Sequence, residues 1–278
     1  MSNAQKVAVV TGSSRGIGFE TSKILARNGF LTYATMRNPQ KGNGFIDIVE
    51  QEKIPLKTIQ LDVIDDASVY DAIQSIIFES GRIDVLINNA GYGLTGAFED
   101  LTIDEIKQQY ETNFYGVVRV TQAVLPIMRR QKSGKIVNIS SAAGRFGFPG
   151  SSAYVSTKFA LEGLSESMAY ELDPFGIEVI LVEPGVIKTD FEFHVAKKSQ
   201  EASSPYSSMT RKMEDVFTNL MEQNSSPPSL VANVVLEAVT SKNPKFRYLA
   251  GKDVENWIDQ KKNSSDSEFF DMMKQSFL

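Results

Sequence analysis

Tyr154 and Lys158 stand four positions apart inside the amphipathic stretch Ser152–Leu172. At that spacing a phenol and an ammonium share one face of a helix. A phenol with a pKa near 10 is a poor base at neutral pH, and a neighbouring ammonium favours its phenolate. The pair is therefore suited to moving one proton at a substrate oxygen. Bringing the phenol to neutrality takes about 3 pKa units, roughly 4 kcal/mol of differential stabilisation. The spacing alone is weak evidence, because it recurs at Tyr248 and Lys252. Context separates the copies. Tyr248 falls in an expected strand, Lys245–Leu249, running into Gly251, where a shared helical face is lost. A serine, Ser141, precedes Tyr154 by thirteen residues, whereas Val235 holds the matching position before Tyr248.

A second group opens the chain. The run Val7–Thr11 reads as a strand and leads into Thr11-Gly-Ser-Ser-Arg-Gly-Ile-Gly18, followed by a helical pattern over Ile17–Asn28. Glycines at 12, 16 and 18 let the backbone turn tightly and approach a pyrophosphate. The helix start behind them offers unpaired N–H groups and a partial positive charge. A loop of this composition between first strand and helix implies a bound dinucleotide. An acid ending the second strand would accept from a free ribose 2′-hydroxyl and repel a 2′-phosphate. Here the second strand, Phe30–Thr35, ends in threonine, and Arg37 and Asn38 follow. With Arg15 in the loop, two guanidiniums stand ready for a dianion, so NADP(H) is expected over NAD(H).

Elements that would hold these groups alternate along the first two-thirds of the chain. Strands are expected at Leu56–Leu61, Asp84–Asn88, Lys135–Ser140 and Ile177–Val182, with helices at Phe45–Glu52, Ala67–Glu79 and Ser152–Leu172. Thr102-Ile-Asp-Glu105 is a capping-box signature opening a long helix to Arg130, which Pro126 should kink or shift in its last turn. Strand–helix alternation with nearly all-apolar strands predicts a three-layer, doubly wound parallel sheet of about seven strands. One domain accounts for residues 1–278. Residues 191–229 are rich in Ser, Glu, Met and Lys with weak periodicity, and read as a mobile insertion after strand six. Leu230–Thr240 reads as a helix. Residues 254–278 read as a polar C-terminal helix or tail.

Composition narrows the chemistry further. Of 278 residues, 42% are hydrophobic and 23% charged, ordinary for a globular core. The net charge of −5 argues against nucleic-acid or anionic-membrane partners, which need a basic face. With no cysteine there is no disulfide and no thiolate chemistry. With His194 as the one histidine, a two-histidine metal site is impossible, and no metal is expected. No signal segment or membrane span is evident, so a cytoplasmic location is expected.

The TGxxxGxG loop resembles the short-chain dehydrogenase/reductase family in its single-domain branch; Arg15 stands where the extended branch would have glycine. The resemblance continues in Asn88-Asn-Ala-Gly91, Tyr154-Val-Ser-Thr-Lys158 and Pro184-Gly185, over roughly residues 6–190. Tyr33–Asn38 and Tyr170–Gly176 look closest to its retinol and 17β-hydroxysteroid dehydrogenase side. The resemblance implies a Rossmann-type fold and an NADP(H)-dependent oxidoreductase interconverting an alcohol and a carbonyl. It implies Tyr154 as proton donor and acceptor, Lys158 on the phenol and nicotinamide ribose, and Ser141 orienting the substrate oxygen, with Ser140 the weaker choice. Asn113 would hold a relay water. The cofactor would meet Gly12, Ser14, Arg15, Gly16, Ile17, Gly18, Arg37 and Asn38. It would also meet Asp62 and Val63 at the adenine, Asn89, Ala90 and Gly91 at the adenosine ribose, and Pro184, Gly185, Val186, Ile187 and Thr189 at the carboxamide.

The substrate pocket should lie above the strands' carboxyl ends. Its expected walls are Tyr92, Leu94, Arg145, Phe146, Phe148, Phe191 and Phe193, an aromatic set with one cation that suits a medium or large apolar molecule. His194 reads as a loop residue. Two other functions compete: a 3-oxoacyl-carrier-protein reductase, which would want a basic mouth such as Arg129 and Arg130, and a non-catalytic NADP(H)-sensing regulator. Relatives imply a homodimer or homotetramer packed through helices 102–130 and 152–172.

Overall fold

The computed structural model describes residues 5–189, 191, 193–196, 198–200 and 203–277. The expectations touching Met1–Ala4, Asp190, Glu192, Lys197, Glu201, Ala202 and Leu278 lie outside the described residues. The chain runs β1 (Val7–Val10), α1 (Gly16–Arg27), β2 (Leu31–Met36), α2 (Asn43–Glu52), β3 (Leu56–Gln60), α3 (Asp66–Ser80) and β4 (Val85–Asn88). Then come β5 (Gly93–Thr95), α4 (Ile103–Tyr110), α5 (Gly116–Gln131), β6 (Gly134–Ile139), α6 (Ser152–Leu172) and β7 (Ile177–Pro184). The last third holds β8 (Phe193–Val195), α7 (Ser207–Gln223), α8 (Pro228–Thr240), β9 (Arg247–Ala250), α9 (Lys252–Asn263) and α10 (Asp266–Phe277).

Seven strands form one parallel sheet in the order β3-β2-β1-β4-β6-β7-β9. Parallel neighbours need crossovers, and the helices that supply them cover both faces, which is why β1 and β4 are buried at every residue. One core lies under α3 and α5, where Val69, Ile73, Ile76, Val120 and Val124 meet Val9 and Leu86. The other lies under α1 and α8, where Leu25, Val231 and Val235 meet Val10 and Ile87. The strand order reverses between β1 and β4. At such a switch the loops diverge and leave a crevice at the carboxyl ends.

Local chemistry sets the boundaries. Thr102 and Glu105 form the capping box, Glu105 N donating to Thr102 Oγ1 and Thr102 N to Glu105 Oε2. Asp65 caps α3 by accepting from Ser68 N, and Gly81 closes it at φ 71°. The expected long helix 102–130 is interrupted, but not at Pro126: α5 runs past that proline to Gln131, and the break is a π-helical turn at Glu111–Tyr115. Such turns often mark functional positions, and this one contains Asn113.

The stretch read as a mobile insertion contains regular structure. β8 pairs in parallel with β5, and α7 is a seventeen-residue helix. The expected C-terminal helix or tail is two helices. Phe269, Met273 and Phe277 of α10 are buried in a satellite core with Phe146 and Val254. No helix among the described residues is long and apolar enough to cross a membrane.

Candidate active site

The phosphate loop is held from the neighbouring strand. Thr11 Oγ1 accepts from Asn89 N and Ala90 N at 3.0 and 3.1 Å. The Asn89 amide donates to Thr11 O and Gly12 O at 2.9 and 3.1 Å. Gly12 has φ 67°, and a Cβ there would come 2.8 Å from Ala90 Cα. At Gly18 a Cβ would come 2.5 Å from both Gly12 O and Asn89 Nδ2. Arg15, the N-cap of α1, makes no side-chain cap bond, and the first turn has no acid. The N–H groups of that turn therefore face the crevice without a built-in anion. These features fit a pyrophosphate, which needs close backbone approach and donors.

The crevice has a volume of about 1480 Å³. A single-ligand pocket is about 300–1,000 Å³, so this one suits two molecules side by side. Gly12, Ser14, Arg15, Gly16, Ile17, Arg37, Asp62, Val63, Asn89, Ala90 and Gly91 line one end, with Pro184, Gly185, Val186, Ile187 and Thr189 beside Tyr154 and Lys158. Two expected cofactor residues do not line it. Gly18 sits behind the loop, where it gives room to Gly12 and Asn89. Asn38 Oδ1 instead accepts from Gln40 N, stabilising the turn after β2. Asp62 does both: it lines the crevice and accepts from Ile64 N at 3.2 Å.

Tyr154 and Lys158 are buried on one face of α6, with Lys158 Nζ 5.7 Å from the Tyr154 ring centroid. Nζ donates to Ile139 O at 2.8 Å. Burial pushes the Tyr154 phenol up to about 12, with the Ser141 hydroxyl pulling against it. Burial also brings the Lys158 ammonium down to about 8, while the Glu162 carboxylate holds it up. In the chain without a cofactor, desolvation is the larger influence on the phenol. At neutral pH the site holds a protonated phenol beside an ammonium, the state of a proton donor.

Ser141 lies two residues past the end of β6 and accepts from Ala143 N at 3.1 Å, which fixes it at the start of a short turn facing the crevice. Ser140 Oγ is buried with no hydrogen-bond partner among the described residues. Asn113 lies outside the crevice lining. Its amide clips the Tyr92 backbone, Nδ2 donating to Tyr92 O at 2.8 Å and Oδ1 accepting from Tyr92 N at 3.1 Å. The decoy Tyr248 is buried on β9, and its hydroxyl accepts from Lys245 N at 3.0 Å.

Of the expected substrate walls, Tyr92, Leu94, Phe146, Phe148 and Phe191 line the crevice. Phe191 meets Tyr154 edge-on at 6.1 Å. Arg145 does not line it; its Nη1 donates to the buried Glu183 at 3.0 and 3.1 Å. The cation expected at the substrate is therefore spent on an internal carboxylate. Only the backbone of Phe193 is described. His194, read as a loop residue, is on β8 and lines the crevice edge-on to Tyr92. Sequence reasoning missed Met213, Phe217 and Leu220 of α7, Trp257 of α9, and Met273 and Phe277 of α10. The 213–217–220 spacing was the signal for the first three.

Asp100 anchors the segment that leads into α7. It accepts from Ser199 Oγ at 2.9 Å and Ser204 Oγ at 2.7 Å. Those hydroxyls, Ser204 first, and Lys198 hold its carboxyl below the usual range.

A glycine-walled anion cradle and a buried Tyr–Lys pair at one switch point define a class of nucleotide-binding α/β oxidoreductase. The family model described as short chain dehydrogenase matches residues 6–200. A 3-ketodihydrosphingosine reductase from Bacteroides thetaiotaomicron is 37% identical over 248 residues, covering 88% of each chain. Retinol dehydrogenase 8 from Bos taurus is 35% identical over 258 residues, covering 89% of this chain and 82% of that one. A solved short-chain dehydrogenase from Streptomyces avermitilis matches with TM-score 0.85 and 32% identity, covering 99% and 98% of the two chains. The chain belongs to the short-chain dehydrogenase/reductase family.

Proposed function

We propose that this protein reduces an apolar carbonyl compound to an alcohol, and runs the reverse reaction, with NADP(H) as cofactor. The observation that carries this reading is the meeting of Ser141, Tyr154 and Lys158 between the phosphate cradle and an aromatic chamber in one crevice. The bound dinucleotide would supply or accept the hydride. Tyr154 gives its proton to the carbonyl oxygen as the hydride arrives, and takes one in the reverse direction. Ser141 donates to the same oxygen and orients it. Lys158 stabilises the phenolate left behind and would hold ribose hydroxyls. Asn113 fixes the backbone of Tyr92 beside them.

NADP(H) is preferred because Arg37 and Arg15 line the adenosine end and β2 offers no acid there. Arg37→Ala is expected to raise the KM for NADPH about ten-fold or more, since a charge-assisted hydrogen bond contributes about 1.5–3 kcal/mol. The KM for NADH should barely move. Steady-state kinetics with both cofactors checks this, and equal effects on the two would refute the preference.

The substrate is taken as medium to large and apolar because Phe148, Phe217 and Phe277 meet within 5.8–6.2 Å at the far end of the chamber. Retinol and 3-ketodihydrosphingosine, named in two relatives, are both long and largely apolar. Phe277→Ala should raise the KM for long apolar carbonyls roughly ten-fold, through lost contacts of about 0.5–1.5 kcal/mol each, and spare short aldehydes. A uniform effect across chain lengths would refute that assignment. A homodimer or homotetramer is the proposed assembly, supported by half-exposed Tyr115 and Phe159 on the faces around α5 and α6.

A further inference from the structure

A second ionisable cluster lies behind the Tyr–Lys pair and takes no part in the chemistry above. Glu162 follows Lys158 by one turn of α6, so the two side chains leave the same face. Glu183 is on β7, directly before the Pro184–Gly185 turn, and its side chain is fully buried. One nitrogen serves both carboxylates: Arg247 Nε donates to Glu162 Oε2 at 3.0 Å and lies 3.3 Å from Glu183 Oε1. Arg247 Nη2 reaches the more exposed Glu166 at 2.9 Å. Arg145, in the loop that begins at Ser141, holds Glu183 from the other side. The groups facing the two carboxylates are thus Lys158 and Glu166 on α6, Arg145 after β6, and Arg247 on β9. Ser140 is the neutral hydroxyl packed beside them, at Gly144.

Two buried carboxylates sharing one guanidinium nitrogen repel each other where water cannot screen them. Burial first, and the charge of Glu162 second, push the Glu183 carboxyl up to about 7. Glu162 in turn acts on Lys158, keeping its ammonium from falling further. As pH rises through neutrality, Glu183 ionises and negative charge accumulates behind Glu162, just before the lysine begins to lose its proton.

We propose that Glu162 and Glu183 are positioning residues of Lys158, Glu162 sustaining the ammonium by its charge from one turn further along α6 and Glu183 adding negative charge behind it as the medium becomes alkaline. The proposal rests on Lys158 serving the reaction as described above. The test is the pH profile of carbonyl reduction for Glu162→Gln and Glu183→Gln. The alkaline limb should move to lower pH, by roughly one unit for Glu162→Gln and by less for Glu183→Gln, and Glu162→Asp should restore part of it. A merely structural role would lower the rate at every pH and leave the limb where it was, which would overturn the proposal.

Thermal melts give a readout that needs no turnover. The folded chain keeps the Glu183 proton to about 7, against 4.5 for an ordinary glutamate. The stability owed to this group is therefore present below about 4.5 and lost as pH rises towards 7. Glu183→Gln has no such proton, so its Tm should gain on the parent between pH 5 and 8. A Tm difference independent of pH would also overturn the proposal. Failure of every carbonyl to react would defeat the functional reading, and the melts would still decide whether Glu183 exchanges its proton near neutrality.

Discussion

Tyr154→Phe is expected to lower turnover by about 10²- to 10⁴-fold, the usual contribution of a positioned acid or base, with dinucleotide affinity nearly unchanged. The substitution removes one buried hydroxyl and leaves the ring against Phe191 and near the Lys158 ammonium. It also removes the partner that Ser141 acts on. Because burial holds the phenol up at about 12, the bare site is biased towards the proton donor, and reduction should suffer at every pH below that value. Tyr248→Phe is the internal control: on β9 and outside the crevice lining, its hydroxyl accepts from Lys245 N, and turnover should survive. Steady-state kinetics paired with NADPH fluorescence titration separates the two effects. Loss of binding in step with turnover would show that Tyr154 acts on the cofactor and not on the proton.

The second large effect is expected at Gly18. A Cβ there meets Gly12 O and Asn89 Nδ2 at 2.5 Å, and the first of these is backbone that cannot swing aside. Gly18→Ala must therefore push α1 away from the loop, taking with it the N–H groups meant for the pyrophosphate. Overpacking of this kind costs about 1–3 kcal/mol of stability. NADPH affinity should fall by about 10- to 100-fold, for a misplaced charged contact of similar size. Calorimetric titration and denaturant melts read both. Native affinity in a destabilised variant would mean that the loop does not depend on this approach.

The parts legible in the sequence were those written in local periodicity. Seven short apolar runs alternating with amphipathic stretches led directly to the parallel sheet, and the glycine spacing to the crevice at its switch point. The parts that were not legible depend on distant partners. Arg145 looks like a substrate cation until Glu183, thirty-eight residues on, is seen to hold it. The turn around Asn113 is invisible because a π turn leaves the helical pattern almost intact, and what it serves is the Tyr92 backbone. Helix α7 reads as an insertion in sequence because most of its surface is polar. Its narrow stripe of Met213, Phe217 and Leu220 gains meaning only against Phe148 and α10. The protonation of Tyr154 turns on depth of burial, which spacing does not record.

The most direct test of the central claim is NADPH consumption by the purified protein, screened against aldehydes, long-chain ketones, ketosteroids, retinal and oxoacyl thioesters, with Tyr154→Phe alongside. The account predicts turnover of at least one long apolar carbonyl, abolished in the variant. Tight NADPH binding without turnover of any member, in parent and variant alike, would contradict it.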